Sequence, residues 1–449
     1  MRLSMVIKII VFAIACITHA TVMAVEDDLL LPPVMAPEEF DQPVIQPTGD
    51  LSLRQAIVLT LKHNPELATY AWTIRSREID QIEAGLLPNP EANLEIENFA
   101  GSGDLNGFRS AETTIAFSQL IELGDKRMKR RQLASADRDL ARWDYEVKRV
   151  DILSQTAIAY ADVLGDQEKL TITKEIKDLA EEIYQTVKKR VEAGKVSPLD
   201  EIKARVELSK SQLNQINAER QLAISKQNLV IGWGGTDITF NKVLGNFYSI
   251  SPIPELGSIV TKLNNNPALA RWATEVIRHQ KAITLARADT IPDISVSAGI
   301  RHLNETDDVA AVASISIPLF LFNNKRTGVQ RSEIGLSRAS KQREVTETRL
   351  RSALLIAYQR LIILYQEVTI LNDEILPSAE EAFNASTKIY RLGKLDLLGL
   401  LDAQRTYFET RQQHINSVKE YHRVVVVIER LIGSSLSEGK DYMAEEAIR

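Results

Sequence analysis

The side chains of this chain that could hold a metal or a reacting group are few and scattered. Histidine occurs at positions 19, 63, 279, 302, 414 and 422. Only His414 and His422 share what reads as one helix, about two turns apart, whereas paired ligands want one turn. Of the six methionines only Met128 falls between residues 51 and 433, so there is no thioether ladder for a soft cation. The one cysteine is Cys16. Gly232-Trp233-Gly234-Gly235 follows a helical pattern, opens no phosphate loop, and reads as a linker. No nucleophile stands beside a base. The expectation is no enzyme, no resident metal and no cofactor.

What remains is electrostatic. The stretches VEAGKVSPLDEIKARVE (191–207) and YRLGKLDLLGLLDAQRT (390–406) each put Gly-Lys into a helical run and then resume the helix with acids on it. Gly194 and Gly393 can take positive φ and reverse a helix end. Lys195 and Lys394 stand where a helix C-terminus favours cations. Pro198 suits the first turn of a returning helix. Beyond lie Asp200 and Glu201 in one stretch, Asp396 and Asp402 in the other. These acids are either helix-start charges favoured by the dipole or charges set to attract cations.

The two glycines lie about 200 residues apart, and the rest of the chain keeps that period. LKHNPELA (61–68) pairs with LNNNPALA (263–270), Pro90 with Pro292, Lys126-Arg127 with Lys325-Arg326, Ala159-Tyr160 with Ala357-Tyr358, and Ile231-Gly232 with Ile432-Gly433. We read 51–232 and 256–433 as two repeats joined by a connector (233–255). An extended Pro-rich segment (25–50) precedes them and a polar tail (434–449) follows.

Each repeat opens with a helix, 66–87 or 267–289, capped by Asn64-Pro65 or Asn266-Pro267. A pair of alternating runs follows. Ile294, Val296, Ala298 and Ile300 alternate with polar residues, as do Val309, Ala311, Ala313 and Ile315; Ala92, Leu94 and Ile96 do so against Glu91, Asn93, Glu95 and Glu97. Period two with one apolar face means strands. Then comes a long helix. Leu133, Ala136, Leu140, Trp143, Val147, Val150, Ser154, Ala157, Ala161 and Leu164 step by three and four, as do Leu354, Ala357, Leu361, Leu364, Val368, Leu371 and Ile375. That is coiled-coil spacing. Residues 125–193 and 326–392 would each span about 100 Å, and the returns to Gly232 and Gly433 about 50 Å. Each long rod thus has two short rods stacked end to end beside it. Gly165 and Pro377 are expected to bend the long rods.

Strands of about ten residues with one apolar face suit an outer membrane. Four of them cannot close, and an open sheet edge is not tolerated in lipid. Closure needs more copies, eight strands in a dimer or twelve in a trimer. The N-terminus fits export: Arg2 and Lys8 flank a short apolar core, with small residues allowing cleavage after Ala20 or Ala24. Residues 1–24 are read as a signal peptide. No later stretch reads as a membrane helix. A net charge of −6 argues against a nucleic-acid partner.

In order and spacing the chain resembles the outer-membrane factor (TolC-like) family. SQLIELGDKRMKRR (118–131), VEAGKVSPLDEIKARVE and SIPLFLFNNKRTG (316–328) resemble its heavy-metal and cation efflux (CzcC-like) branch. The resemblance implies a mainly α fold with a membrane β-barrel portion, a homotrimer closing a twelve-stranded barrel, and a periplasmic α-helical barrel. It implies a passive exit duct docked to a periplasmic adaptor (membrane fusion) protein and an inner-membrane RND-type pump. Gly194, Lys195, Gly393 and Lys394 would then be the tips that meet the adaptor. In the family, acids shortly after the second glycine line the closed entrance, and Asp402 falls at such a position. Asp396 and Asp200 are further candidates, each becoming a ring of three. Lys203 is the first-repeat counterpart of Asp402, so an acidic ring is unevenly supplied. Lys126, Arg127, Lys129, Arg130 and Arg131 cluster at a helix start, which disfavours cations. They either meet outer-membrane lipid headgroups or form a solvated coiled-coil face. A duct for drugs or secreted proteins and a soluble coiled-coil adaptor are the alternatives.

Overall fold

A computed structural model of the chain describes residues 34–41 and 46–436, all but Val34 in one unit beginning at Met35. The expected leader, with Cys16, and the tail beyond Leu436 lie outside the described residues. In chain order the elements are β1 (Gly49–Leu51), α1 (Leu53–His63), α2 (Pro65–Ala84), β2 (Glu91–Glu97), β3 (Glu112–Ile121), α3 (Lys126–Glu192), α4 (Pro198–Ile231), β4 (Phe240–Val243), α5 (Leu256–Lys262), α6 (Pro267–Ala288), β5 (Ile294–Leu303), β6 (Asp308–Ser316), α7 (Arg326–Ile370), α8 (Leu376–Arg391) and α9 (Leu397–Ile432). The fold is mainly helical, with helix, β-hairpin, long helix and helical return written twice.

The Asn-Pro pairs do two jobs. Asn64 Oδ1 accepts from the amides of Glu66 and Leu67, both at 3.0 Å, while its Nδ2 donates to the carbonyl of Gly232 at 2.7 Å. Asn266 likewise accepts from Ala268 N at 2.8 Å and donates to Leu431 O at 2.9 Å. Each side chain therefore caps one short rod and fastens it to the end of the other. The repeated tyrosines also have parallel tasks. Tyr160 donates to Leu51 O and Tyr358 to Pro254 O, pinning the segments that girdle the rods at mid-height. There β1 pairs in parallel with β4, so the segment expected to be only extended holds a 3-10 turn, Pro37–Asp41, and a paired strand. Trp233, expected in a plain linker, is fully buried with Leu51, Ala56, Tyr160 and Leu229.

The strands form one antiparallel sheet in the order β2-β3-β5-β6. The register aligns Leu94, Ile115, Ile300 and Ala311 across one face and Glu95, Thr114, Arg301 and Ala310 across the other. The apolar face is uncovered, with Leu94, Phe117 and Ile315 all more than 60% exposed.

The helices make a row in which α2 and α4 flank α3, α3 flanks α6 and α9, and these flank α7 and α8. Helix α3 runs unbroken for 67 residues, about 100 Å. It has neighbours on both sides, so it buries a second band, Tyr145, Ile152, Leu153 and Val163, beyond the single seam read from spacing. Gly165 does not interrupt it. A Cβ there would stand 3.2 Å from the Phe247 ring, so glycine serves close packing rather than a bend. At Pro377 the outcome differs. The missing N–H is accommodated one turn upstream by a π turn, Leu371–Ile375. The seam Leu354–Leu371 is buried as expected, but the wider turn lets the period slip, and Ile375 is 44% exposed.

Candidate functional site at the tips and the open edges

Both long rods end in the same turn. Gly194 has φ +68° and donates to Val191 O at 2.9 Å, while Lys195 N donates to Arg190 O at 2.8 Å. Gly393 has φ +73° and donates to Tyr390 O at 2.9 Å, while Lys394 N donates to Ile389 O at 3.1 Å. These are paired Schellman closures. A Cβ on either glycine would meet nothing within 4 Å, so the requirement is φ and not space. Ser197 and Asp396 start the returns, accepting from Leu199 N at 3.2 Å and Gly399 N at 2.9 Å.

The three candidate aspartates are not gathered on one face. The carboxylate of Asp396 is engaged as the cap of α9. Asp402 lies exposed in an ion pair with Arg405 at 2.5 Å, about 240° around the helix from Asp396. Asp200, half-buried in the first turn of α4, faces the other repeat. Burial raises the Tyr390 hydroxyl above its ordinary value, Arg190 opposes this, and Asp200 adds to it.

Arg190 was legible only as a cation in the last turn of its own helix. In the structure its guanidinium lies 4.7 Å from the Tyr390 ring centroid and donates to the carbonyls of Tyr390 and Arg391, each at 3.1 Å. It thereby caps the end of α8 from the other repeat. Arg391 reaches back to Glu182 at 2.9 Å. Val187, Ala204, Tyr390, Leu397 and Leu400 close a shared apolar core behind these contacts.

Half-way along the rods a second set of charges joins the repeats. Arg423 holds Asp162 bidentately at 3.0 and 2.8 Å. Lys419 bridges Asp166 at 3.0 Å and Asp162 at 3.4 Å, and the Ser225 hydroxyl donates to buried Asp166. Close by, His422 Nε2 meets Phe247 O at 2.7 Å and His414 stacks on Tyr248 at 5.2 Å. Burial pushes both imidazoles below their ordinary pKa. Both act as packing groups.

Three members of the basic cluster at the start of α3 are engaged inside the chain, which corrects both readings for those three. Lys126 is buried, with Nζ at 2.6 Å from both Asp293 Oδ1 and Ile291 O. Arg130 pairs with Glu122, and Lys129 donates to Gly124 O at 2.8 Å. Internal carboxylates and carbonyls offset the cations that the helix start disfavours.

Sheet and helix row stop at matching places. Among the described residues, strands β2 and β6 each lack a neighbour on one side, and so do α2 with α4 at one end of the row and α7 at the other. Both ends carry uncovered apolar stripes: Trp72, Ile79 and Ile82 on α2, Ile202, Leu213 and Ile216 on α4, and Ile334, Ile356 and Ile363 on α7. With one stripe packed on α9 and a second uncovered, α7 belongs to the helical stretch Arg326–Arg391, which alone among the described residues contains an 18-residue window apolar enough to cross a membrane, at mean hydropathy 1.4. The sequence reading had admitted none after the leader. Its apolar content is divided between the stripe packed within the chain and the exposed one.

Residues 56–235 and 259–434 match the family model for outer membrane efflux proteins. The chain belongs to that family. It is 30% identical over 388 residues to the cobalt-zinc-cadmium resistance protein CzcC of Cupriavidus metallidurans, covering 86% of this chain and 90% of that one. The nickel-cobalt-cadmium resistance protein NccC of Alcaligenes xylosoxydans is 22% identical over 63% of each chain. Among solved structures, the Campylobacter jejuni CmeC outer membrane channel superposes with TM-score 0.71 at 16% identity over 87% of both chains. As an outer membrane efflux protein the chain is a transport component of the outer membrane. Its sheet is the membrane part and its rods extend into the periplasm.

Proposed function

We propose that this chain is the exit duct of a tripartite efflux system for heavy-metal cations. Three copies join edge to edge into a twelve-stranded barrel continued by a helical tube. The observation that carries this reading is the coincidence of open edges in sheet and helix row. Unpaired N–H and C=O groups are not tolerated in hydrocarbon, so β6 of one copy pairs with β2 of the next, and the same step covers the stripes on α7 and on α2 and α4. The apolar face then meets lipid, and the face bearing Glu91, Glu95, Thr114 and Ser297 lines the bore.

Metal cargo is supported by CzcC, a cobalt-zinc-cadmium resistance protein, and NccC, a nickel-cobalt-cadmium resistance protein. The duct is passive. A periplasmic adaptor engages the tips at Gly194, Lys195, Gly393 and Lys394, and an inner-membrane RND-type pump supplies the energy. Asp402, Asp396 and Asp200 form unequal acidic rings at the closed entrance.

The test has two parts. Detergent-extracted protein should have the mass of three chains and conduct in planar bilayers. Deleting the gene should lower tolerance to cobalt, zinc or cadmium. A monomer without conductance would overturn the duct; unchanged tolerance to all three metals would overturn the cargo.

A further inference from the structure

The loop between β6 and α7 is the least covered apolar segment of the described residues. Ile317, Leu319 and Leu321 are exposed, and Phe322 is fully so. It is shaped rather than slack. Leu321 N donates to Leu319 O at 2.9 Å. Asn323 and Asn324 accept from the amides of Lys325 and Arg326 at 3.1 and 3.2 Å, and the Lys325 amine lies 5.0 Å above the Phe320 ring. A contiguous apolar surface of this kind marks an interaction site.

The opposite edge of the sheet carries its counterpart. The row Glu91, Ser118, Ser297, Ser314 runs straight across the four strands. Just outside it lie Ile317–Asn324 on the β6 edge and Leu86–Pro90 on the β2 edge, at the same level. Ile82, Leu86 and Leu87 there are each at least 55% exposed. Charge is complementary too. Glu83 and Glu91 are exposed at one edge, Lys325, Arg326 and Arg331 at the other, and among the described residues no ion pair within the chain uses them.

We propose that Ile317–Phe322 is a clasp across the seam between copies. Leu319, Leu321 and Phe322 cover Leu86 and Leu87 of the next copy, and Lys325 and Arg326 face that copy's Glu83 and Glu91. The clasp rests on the edge-to-edge closure proposed above and adds its occupant. Pairing β6 with β2 brings their backbones to about 4.8 Å, which carries the two flanking turns together. A clasp here seals the joint where sheet gives way to helices, a place with no strand ladder of its own.

The chain's only cysteine, Cys16, lies at the far N-terminus, so cysteines can be placed at will in a Cys16→Ser background. Leu87→Cys with Leu321→Cys, oxidised in isolated outer membranes, should give reducible dimers and trimers; neither single variant should. A second probe is an environment-sensitive label on Phe322→Cys in vesicles with spin-labelled phospholipid, where little quenching is expected. Uncrosslinked chains that still run as native trimers would overturn the clasp and leave the duct standing. Strong quenching would assign the loop to lipid and overturn the clasp as well. No trimer in any variant or in the unmodified chain would overturn both readings.

Discussion

The guanidinium of Arg190 and the ring of Tyr390 lie 4.7 Å apart, and the same guanidinium closes the last carbonyls of α8. One side chain of the first repeat thus terminates a helix of the second. Arg190→Ala should free the tip of α8. Hydrogen exchange across 385–395 should quicken, and the entrance should conduct more in single-channel recordings. Arg190→Lys keeps the charge without the planar fork and should fall between. Unchanged exchange in Arg190→Ala would show that the apolar core behind it holds the tip unaided.

Asp396 and Asp402 can be separated by substitution. Asp396→Ala removes a cap and should cost about 1 kcal/mol, whereas Asp396→Ser should restore stability without the charge. Asp402→Ala releases Arg405 and should lower cation selectivity, read as a shift in reversal potential under a salt gradient. Unaltered selectivity in both Asp402→Ala and Asp396→Ser would remove these acids from the conducting path.

The buried imidazoles set a pH dependence. His414 and His422 have folded pKa values below the ordinary 6.5, so in acid the unfolded chain binds protons before the native one does. Their contribution is complete above about pH 6.5 and is lost as pH falls through that value towards the lower folded pKa. The Tm of purified protein should therefore drop between pH 7 and 5, and less in His414→Gln. An equal drop in the variant would place the proton uptake elsewhere.

The mid-height charges should respond in a fixed order. Asp166→Ala leaves Lys419 with Asp162 as partner, so the loss should be near the lower limit for breaking a buried pair, about 3 kcal/mol. Lys419→Ala strands buried Asp166 with only Ser225 and should cost more. Chemical denaturation followed by helical circular dichroism would measure both; the reverse order would mean that Asp162 carries the network.

Asn64 divides its tasks between two atoms. Asn64→Asp keeps the acceptor that caps α2 and loses the donor to Gly232 O, while Asn64→Ala loses both. A stepwise fall in Tm, Asn above Asp above Ala, is expected. Equal values for Asn64→Asp and the unmodified chain would show that the rods abut without that bond.

What was legible in the chain was local. Alternation placed the strands and their faces, because side chains leave a strand on opposite sides in turn. Gly-Lys placed the tips, because positive φ and helix closure are properties of a few adjacent residues. The pairing of Lys126 with Asp293, the reach of Arg190 to Tyr390 and the second buried band of α3 were not legible. Each needs residues far apart in sequence, and nothing near Lys126 or Arg190 in the chain points to its distant partner. Ile375 was misplaced for another reason. A seam extrapolated by threes and fours assumes a constant helix, and Pro377 changes the helix one turn before its own position.

The Asn64 junction also sets how the rods transmit force. Along α3 a torsion applied at Gly194 meets an unbroken hydrogen-bonded ladder all the way to the sheet. Along its flank, α4 stops at Ile231 and α2 starts again at Pro65, with one side-chain bond between them. In the first repeat a continuous torsion bar thus stands beside a jointed strut. In the tube proposed above, a twist at the tips would reach the sheet through α3, while α4 and α2 can shift against each other at their joint.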